Sequence, residues 1–163
     1  MSVHKLLQLI HQNDETTSEA ALTLGLLIEH QKVSRPNGDD GGISAVIGDE
    51  YSQQQLTEAE VETAVNGLLS YVNEASKPHP MAVWALTKSY DPRILPTLIA
   101  LFERLVADSA QEQAAYQALV GMTSFYNQKT LVTIRKAAKA DSDLIRETAK
   151  QYLSLFGSKA TKD

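Results

Sequence analysis

Seven carboxylates gather in one stretch of the chain: Asp39, Asp40, Asp49, Glu50, Glu58, Glu60 and Glu62. Two such groups could divide acid–base work if burial raised the pKa of one and left the other ionised. Their surroundings speak against it, because the flanks are polar and glycine-rich. A second chemistry is calcium binding by the run Asn37-Gly38-Asp39-Asp40-Gly41-Gly42. It would put Asn37, Asp39 and Gly42 at positions one, three and six of an EF-hand loop. Position five would then be Gly41, and position twelve Gly48, where a bidentate glutamate is required. With two ligands missing, the run reads as a turn. The third use of clustered acids is a solvated surface for a basic partner, since such fields steer association.

Other catalytic chemistry finds no foothold. His4, His11, His30 and His79 show no zinc-like spacing with an acid, and His4 and His11 fall two turns apart on one helix flank. There is no His-Glu-x-x-His, no Gly-x-Ser-x-Gly elbow and no phosphate-cradling glycine loop. The chain has no cysteine, which removes disulfides, thiolate metal sites and a thiol nucleophile. The expectation is a protein that is not an enzyme and uses neither cofactor nor metal.

The net charge of −5 conceals a split. Residues 1–76 hold twelve acids against Lys5, Lys32 and Arg35, a net of −9, whereas residues 77–163 carry +4. Near the C-terminus Arg135, Lys136, Lys139, Arg146 and Lys150 sit on two expected helices and offer an alternative surface for nucleic acid. Asp141, Asp143 and Glu147 interleave with them, and phosphate binding wants a denser positive footprint. Solvated helix faces explain most of that pattern.

The elements that must position these groups are helical throughout, because apolar residues recur at helical spacing and no alternation of strand type is found. Helices are expected over Val3–Gln12, Glu19–Val33, Thr57–Ala75, two between Pro80 and Val106, Ala110–Ser124, Gln128–Ala140 and Asp143–Phe156, the last stopped by Gly157. Thr57-x-x-Glu60 and Ser109-x-x-Glu112 match capping boxes. Residues 34–55 form a long acidic loop rich in glycine and aspartate, with Ile43–Ile47 as a brief strand or helical turn inside it. Between the fourth and fifth helices Asp91-Pro92 marks a break, with Asp91 as cap and Pro92 as first helical residue. Pro96 is expected to remove one hydrogen bond inside the fifth helix. Trp84 reads as core, its truncation costing roughly 3–5 kcal/mol.

Two triplets 32 residues apart, Ala82-Val83-Trp84 and Ala114-Ala115-Tyr116, each precede a short loop and a returning helix. Such periods suggest arrays of helical hairpins. With Ala82, Ala85, Asp91, Pro92, Arg93, Leu95 and Leu98, the stretch 80–156 resembles HEAT-like repeats, which pair an alanine-rich helix with an Asp-Pro-Arg start to the next. The resemblance implies an all-α chain: a short right-handed α-α superhelix of about eight antiparallel helices. One domain is expected over 1–157, with a frayed tail at 158–163. Small, acidic, cysteine-free and without an active site, the chain also resembles bacterial immunity proteins that neutralise a toxin. That likeness implies a partner-binding surface on Asp39, Asp40, Asp49, Glu50, Tyr51, Glu58 and Glu62, facing a basic toxin domain such as a nuclease. A nucleic-acid-binding or repair protein on the basic helices, or a ligand-binding or lyase protein on the same scaffold, are the alternatives. The N-terminal segment is too interrupted for a signal peptide and no apolar run suits a membrane span, so a cytoplasmic protein is expected.

Overall fold

The computed structural model describes residues 2–32 and 54–160, with side chains to residue 156. Every regular element among the described residues is helical, so the chain is all-α. The helices are α1 (Val3–Gln12), α2 (Thr17–Lys32), α3 (Glu58–Glu74), α4 (Pro80–Thr87), α5 (Ile94–Leu105), α6 (Glu112–Met122), α7 (Gln128–Ala137) and α8 (Asp143–Ala160), with a 3-10 turn at Ser109–Gln111. None is long and apolar enough to cross a membrane. The chain divides into two compact units, Met1–Asp91 and Pro92–Asp163. Their boundary nearly coincides with the charge split: the first unit carries a net −8 and the second +3.

In Met1–Asp91, α2 is the central helix, packed against α1, α3 and α4. Leu24, Leu27 and Ile28 of α2 are essentially inaccessible, which is why its apolar residues spread around a broad face rather than forming a stripe. Truncating one such leucine to alanine costs roughly 2–5 kcal/mol. At Gly25 the chains of α2 and α4 come so close that a Cβ would lie 2.4 Å from Trp84 Cζ3 and 3.1 Å from Ala85 Cα. Trp84 therefore packs closely against a glycine but remains partly exposed. It is a packing residue, as expected, yet not fully buried, and the full cost of deleting a core tryptophan does not apply to it. Lys88 Nζ stands 5.0 Å from the Trp84 ring centre and pairs with Glu29 at 2.9 Å, covering the indole from the solvent side.

Tyr71 ties the ends of three helices together. Buried on α3, it donates to Asn13 Oδ1 and accepts from the His79 N–H at 2.8 Å. Asn13 adopts the left-handed conformation (φ 53°) that closes α1, a geometry asparagine tolerates well. His79 caps α4, its Nδ1 accepting from Met81 N–H at 3.0 Å. Burial raises the Tyr71 phenol above its ordinary pKa, partly opposed by the His79 N–H. Burial also lowers the His79 imidazole.

In Pro92–Asp163, α5 packs on α6, α6 on α8, and α8 on α7. Several local expectations change here. The fifth helix starts at Ile94, after a turn at Pro92-Arg93, so Pro92 is not its first residue and its N-cap, Arg93, supplies no side-chain bond. Pro96 consequently falls in the first turn, where an N–H has no intrahelical acceptor, and no hydrogen bond is lost. Asp108, not Ser109, caps the 3-10 turn by accepting from Ala110 N–H at 3.0 Å. Glu112 is drawn away from a capping box by Ser142, whose hydroxyl donates to it at 2.6 Å. Asn127 and Ser142 cap α7 and α8 as the sequence suggests. Gly157 does not stop α8, which continues to Ala160. Phe156, buried and stacked on Tyr126 with ring centres 4.9 Å apart, holds that last stretch against the unit.

Candidate protein-binding surface

The N-terminal half of α3 builds the site. Thr57 accepts from Glu60 N–H while Glu60 accepts from Thr57 N–H, both at 3.1 Å, so the expected capping box forms and fixes the first turn. That register points Glu58 and Glu62, one turn apart, to the exposed side, while Val61 and Val65 are buried. Asp91, at the end of the same unit, joins them. Together with Gln31 and Lys32 from the end of α2, these residues line a depression of about 300 Å³ with Val61 and Val65 at its base. The lining thus carries three carboxylates and one ammonium beside two valines. Glu62 also accepts from Asn66 Nδ2 at 3.4 Å, which holds its side chain along the helix.

Of the seven acids and aromatics predicted for partner binding, Glu58 and Glu62 are brought together. Asp39, Asp40, Asp49, Glu50 and Tyr51 lie outside the described residues, as do the Ile43–Ile47 element and the Asn37–Gly42 run read as a turn. The sequence does not place Asp91 or its neighbour Tyr90 here: Tyr90, like Trp84, reads as a packing residue because Met81, Val83 and Leu86 lie close by. Asp91 had been assigned to helix capping, and only the packing of α3 and α4 in one unit carries it to Glu58 and Glu62. Tyr90 is 47% exposed and holds φ at 49°. A non-glycine residue in the left-handed region is strained, and such strain concentrates at functional positions. The local cause is a hydroxyl: Ser89 Oγ donates to Leu86 O at 2.9 Å and accepts from Asp91 N–H at 3.3 Å, turning the chain sharply after α4. Beside the aromatic itself, the serine before Tyr-Asp-Pro is the sequence signal that marks this turn.

The alternative, basic surface is largely consumed by internal pairing. Lys136 pairs with Glu103 at 3.3 Å, and Lys150 with Glu147 at 3.5 Å. Arg146 bonds Asp143 and donates to the Ala140 and Asp141 carbonyls at 3.0 and 3.2 Å, closing the turn before α8. Only Arg135 and Lys139 of the five are exposed without an ion pair among the described residues. Lys136 and Arg146 thus tie helix ends together, while Lys150 pairs within α8. Among the described residues, no three His, Asp or Glu side chains come close enough together to hold a metal ion, Glu58, Glu62 and Asp91 included. No known protein family, curated protein or solved structure matches the chain.

Proposed function

We propose that this chain is a non-enzymatic protein-binding module that presents an acidic surface to a basic partner. The most specific form of that reading is an immunity protein acting in the cytoplasm, which covers a basic toxin domain such as a nuclease and occludes its substrate site. The observation that carries it is the convergence of Glu58, Glu62 and Asp91 on one depression within a unit of net charge −8. A lysine or arginine from a partner would find carboxylates at the mouth and valines for its aliphatic stem below. Tyr90, exposed and adjacent to Asp91, supplies the kind of large, flat side chain that dominates binding energy at interfaces. The right-handed HEAT-like stacking of the helices belongs to the same proposal. Its support is the pairing of α5 with α6 and of α7 with α8.

Immunity makes a strong genetic demand. The test is to express the basic protein encoded beside this chain with and without it. Toxicity alone and rescue by co-expression, with a stoichiometric complex on gel filtration, is the expected result. A harmless neighbour, or rescue without a complex, would remove the immunity reading.

A further inference from the structure

A groove of about 730 Å³ runs along α5, within the range of small-ligand sites, and it is separate from the acidic depression. Its wall is the stripe Leu95, Pro96, Ile99 and Ala100, which lies on one side of α5 at helical spacing, with Phe125 facing it from the loop before α7. Pro96 has no N–H, so that wall lacks even the donor an ordinary residue would add. Polarity is confined to the ends. Toward the C-terminal end of α5, Glu103 lines the groove but is neutralised by Lys136 at 3.3 Å. The beginning of α7 contributes Asn127, Gln128 and Lys129. Asn127 Oδ1 is already committed to Thr130 N–H at 3.0 Å. Lys129 is exposed and has no ion pair among the described residues, which leaves one uncompensated positive charge at that end. The start of a helix favours negative charge in the same place.

We propose that this groove binds a small amphiphile, its apolar body along Leu95–Ala100 and an anionic head group on Lys129. The inference concerns the second unit alone and stands whether or not the acidic depression binds a protein. Carboxylate is the simplest head group that fits, because Lys129 offers a point charge and Gln128 a side-chain amide to one or two oxygens.

The test uses the whole chain, with decanoate as probe and decanol and decylamine as head-group controls, all below their micellar concentrations. Binding is followed by calorimetry and by amide shifts in the nuclear magnetic resonance spectrum. Decanoate is expected to move the amides of Ile99, Phe125 and Lys129 and to bind roughly tenfold or more tightly than decylamine. Lys129→Glu, tolerated at a helix start, should remove that preference and leave decanol binding unchanged. Ile99→Glu, at a half-exposed position, should abolish binding of all three while the melting curve shows a folded protein. Absence of decanoate binding overturns the proposal, as do shifts located away from α5 and α7. Equal affinity for the three probes, or a preference that survives Lys129→Glu, overturns it too and marks the groove as a non-selective face of the kind that receives a protein helix.

Discussion

Gly25→Ala probes the closest approach in the first unit. The added methyl would stand 2.4 Å from Trp84 Cζ3 and 3.0 Å from Cε3, against an ordinary carbon–carbon separation of about 3.5–4.0 Å. The indole cannot simply back away, because Lys88, held by Glu29, lies over the ring. Overpacking of this kind costs about 1–3 kcal/mol. Replacing a mid-helix glycine by alanine returns roughly 0.8–1 kcal/mol through helix propensity. The net expectation is a change of between about 0 and 2 kcal/mol toward destabilisation. Urea unfolding followed by far-ultraviolet circular dichroism measures it, with an unchanged m-value showing that stability alone has moved. The Trp84→Ala background supplies the decisive control. There the ring contacts are gone, only the 3.1 Å approach to Ala85 Cα remains, and Gly25→Ala should fall within about 0.5 kcal/mol of neutral. A Gly25→Ala variant of the intact protein more stable than the parent by about 0.5 kcal/mol or more, the gain expected of helix propensity with no clash, would refute the packing of Trp84 on α2.

Gly67→Ala makes the contrasting case: its methyl would meet Leu7 Cδ1 and Cδ2 at 2.5 and 2.6 Å, the far end of a flexible side chain. Rotation of Leu7 relieves that contact, so the same melt should register a change of less than about 1 kcal/mol. His79 gives a pH dependence. Its folded pKa lies below the unfolded value, so its contribution to stability is complete above about pH 6.5 and is lost as pH falls through the folded pKa. Protonation at Nδ1 also removes the cap on Met81 N–H. His79→Asn keeps a capping oxygen without the titration, and comparison of melts at pH 7.5 and 5.5 should show a smaller acid loss than in the parent. Tyr90→Gly should stabilise the fold by up to ~1 kcal/mol by relieving the left-handed strain, while weakening partner binding; a destabilised variant would mean that Tyr90 is held by packing. Thr57→Ala should cost about 1 kcal/mol, measurable in the same urea melt, by opening the capping box that sets the register of Glu58 and Glu62.

The sequence was most informative where the physics is local. A capping box is a relation between residues three apart, and Thr57 and Glu60 form it as their spacing demands. Periodicity likewise located eight helices, because each buries a face at 3.6-residue spacing whatever its neighbours are. It failed where a distant partner competes for a local group. Glu112 had the spacing to complete a box with Ser109, but Ser142 takes its carboxylate. Gly157 looked like a stop, yet a glycine inside a helix costs only about 1 kcal/mol, and the Phe156–Tyr126 stack outweighs it. The site was half legible for the same reason. Glu58 and Glu62 are one turn apart and had to share a face, whereas Asp91 reaches them only through the packing of α4 on α3. The groove along α5 was invisible, since the spacing that makes Leu95, Ile99 and Ala100 a stripe says nothing of what faces them.

The acidic depression is best tested by charge reversal against a smaller charge reversal elsewhere in the same unit. Glu58→Lys, Glu62→Lys and Asp91→Lys together reverse the depression. Glu15→Lys with Glu19→Lys, at exposed positions on α2 and the turn before it, controls for charge change elsewhere. Circular dichroism establishes that each variant is folded, and calorimetry at low and moderate salt measures affinity for the basic partner recovered with the parent chain. A loss of a hundredfold or more is expected for the depression variant, corresponding to roughly 3 kcal/mol for desolvated charge pairs, with the control variant within about threefold of the parent. Equal affinity of the depression variant and the parent would contradict the claim that Glu58, Glu62 and Asp91 form the binding surface.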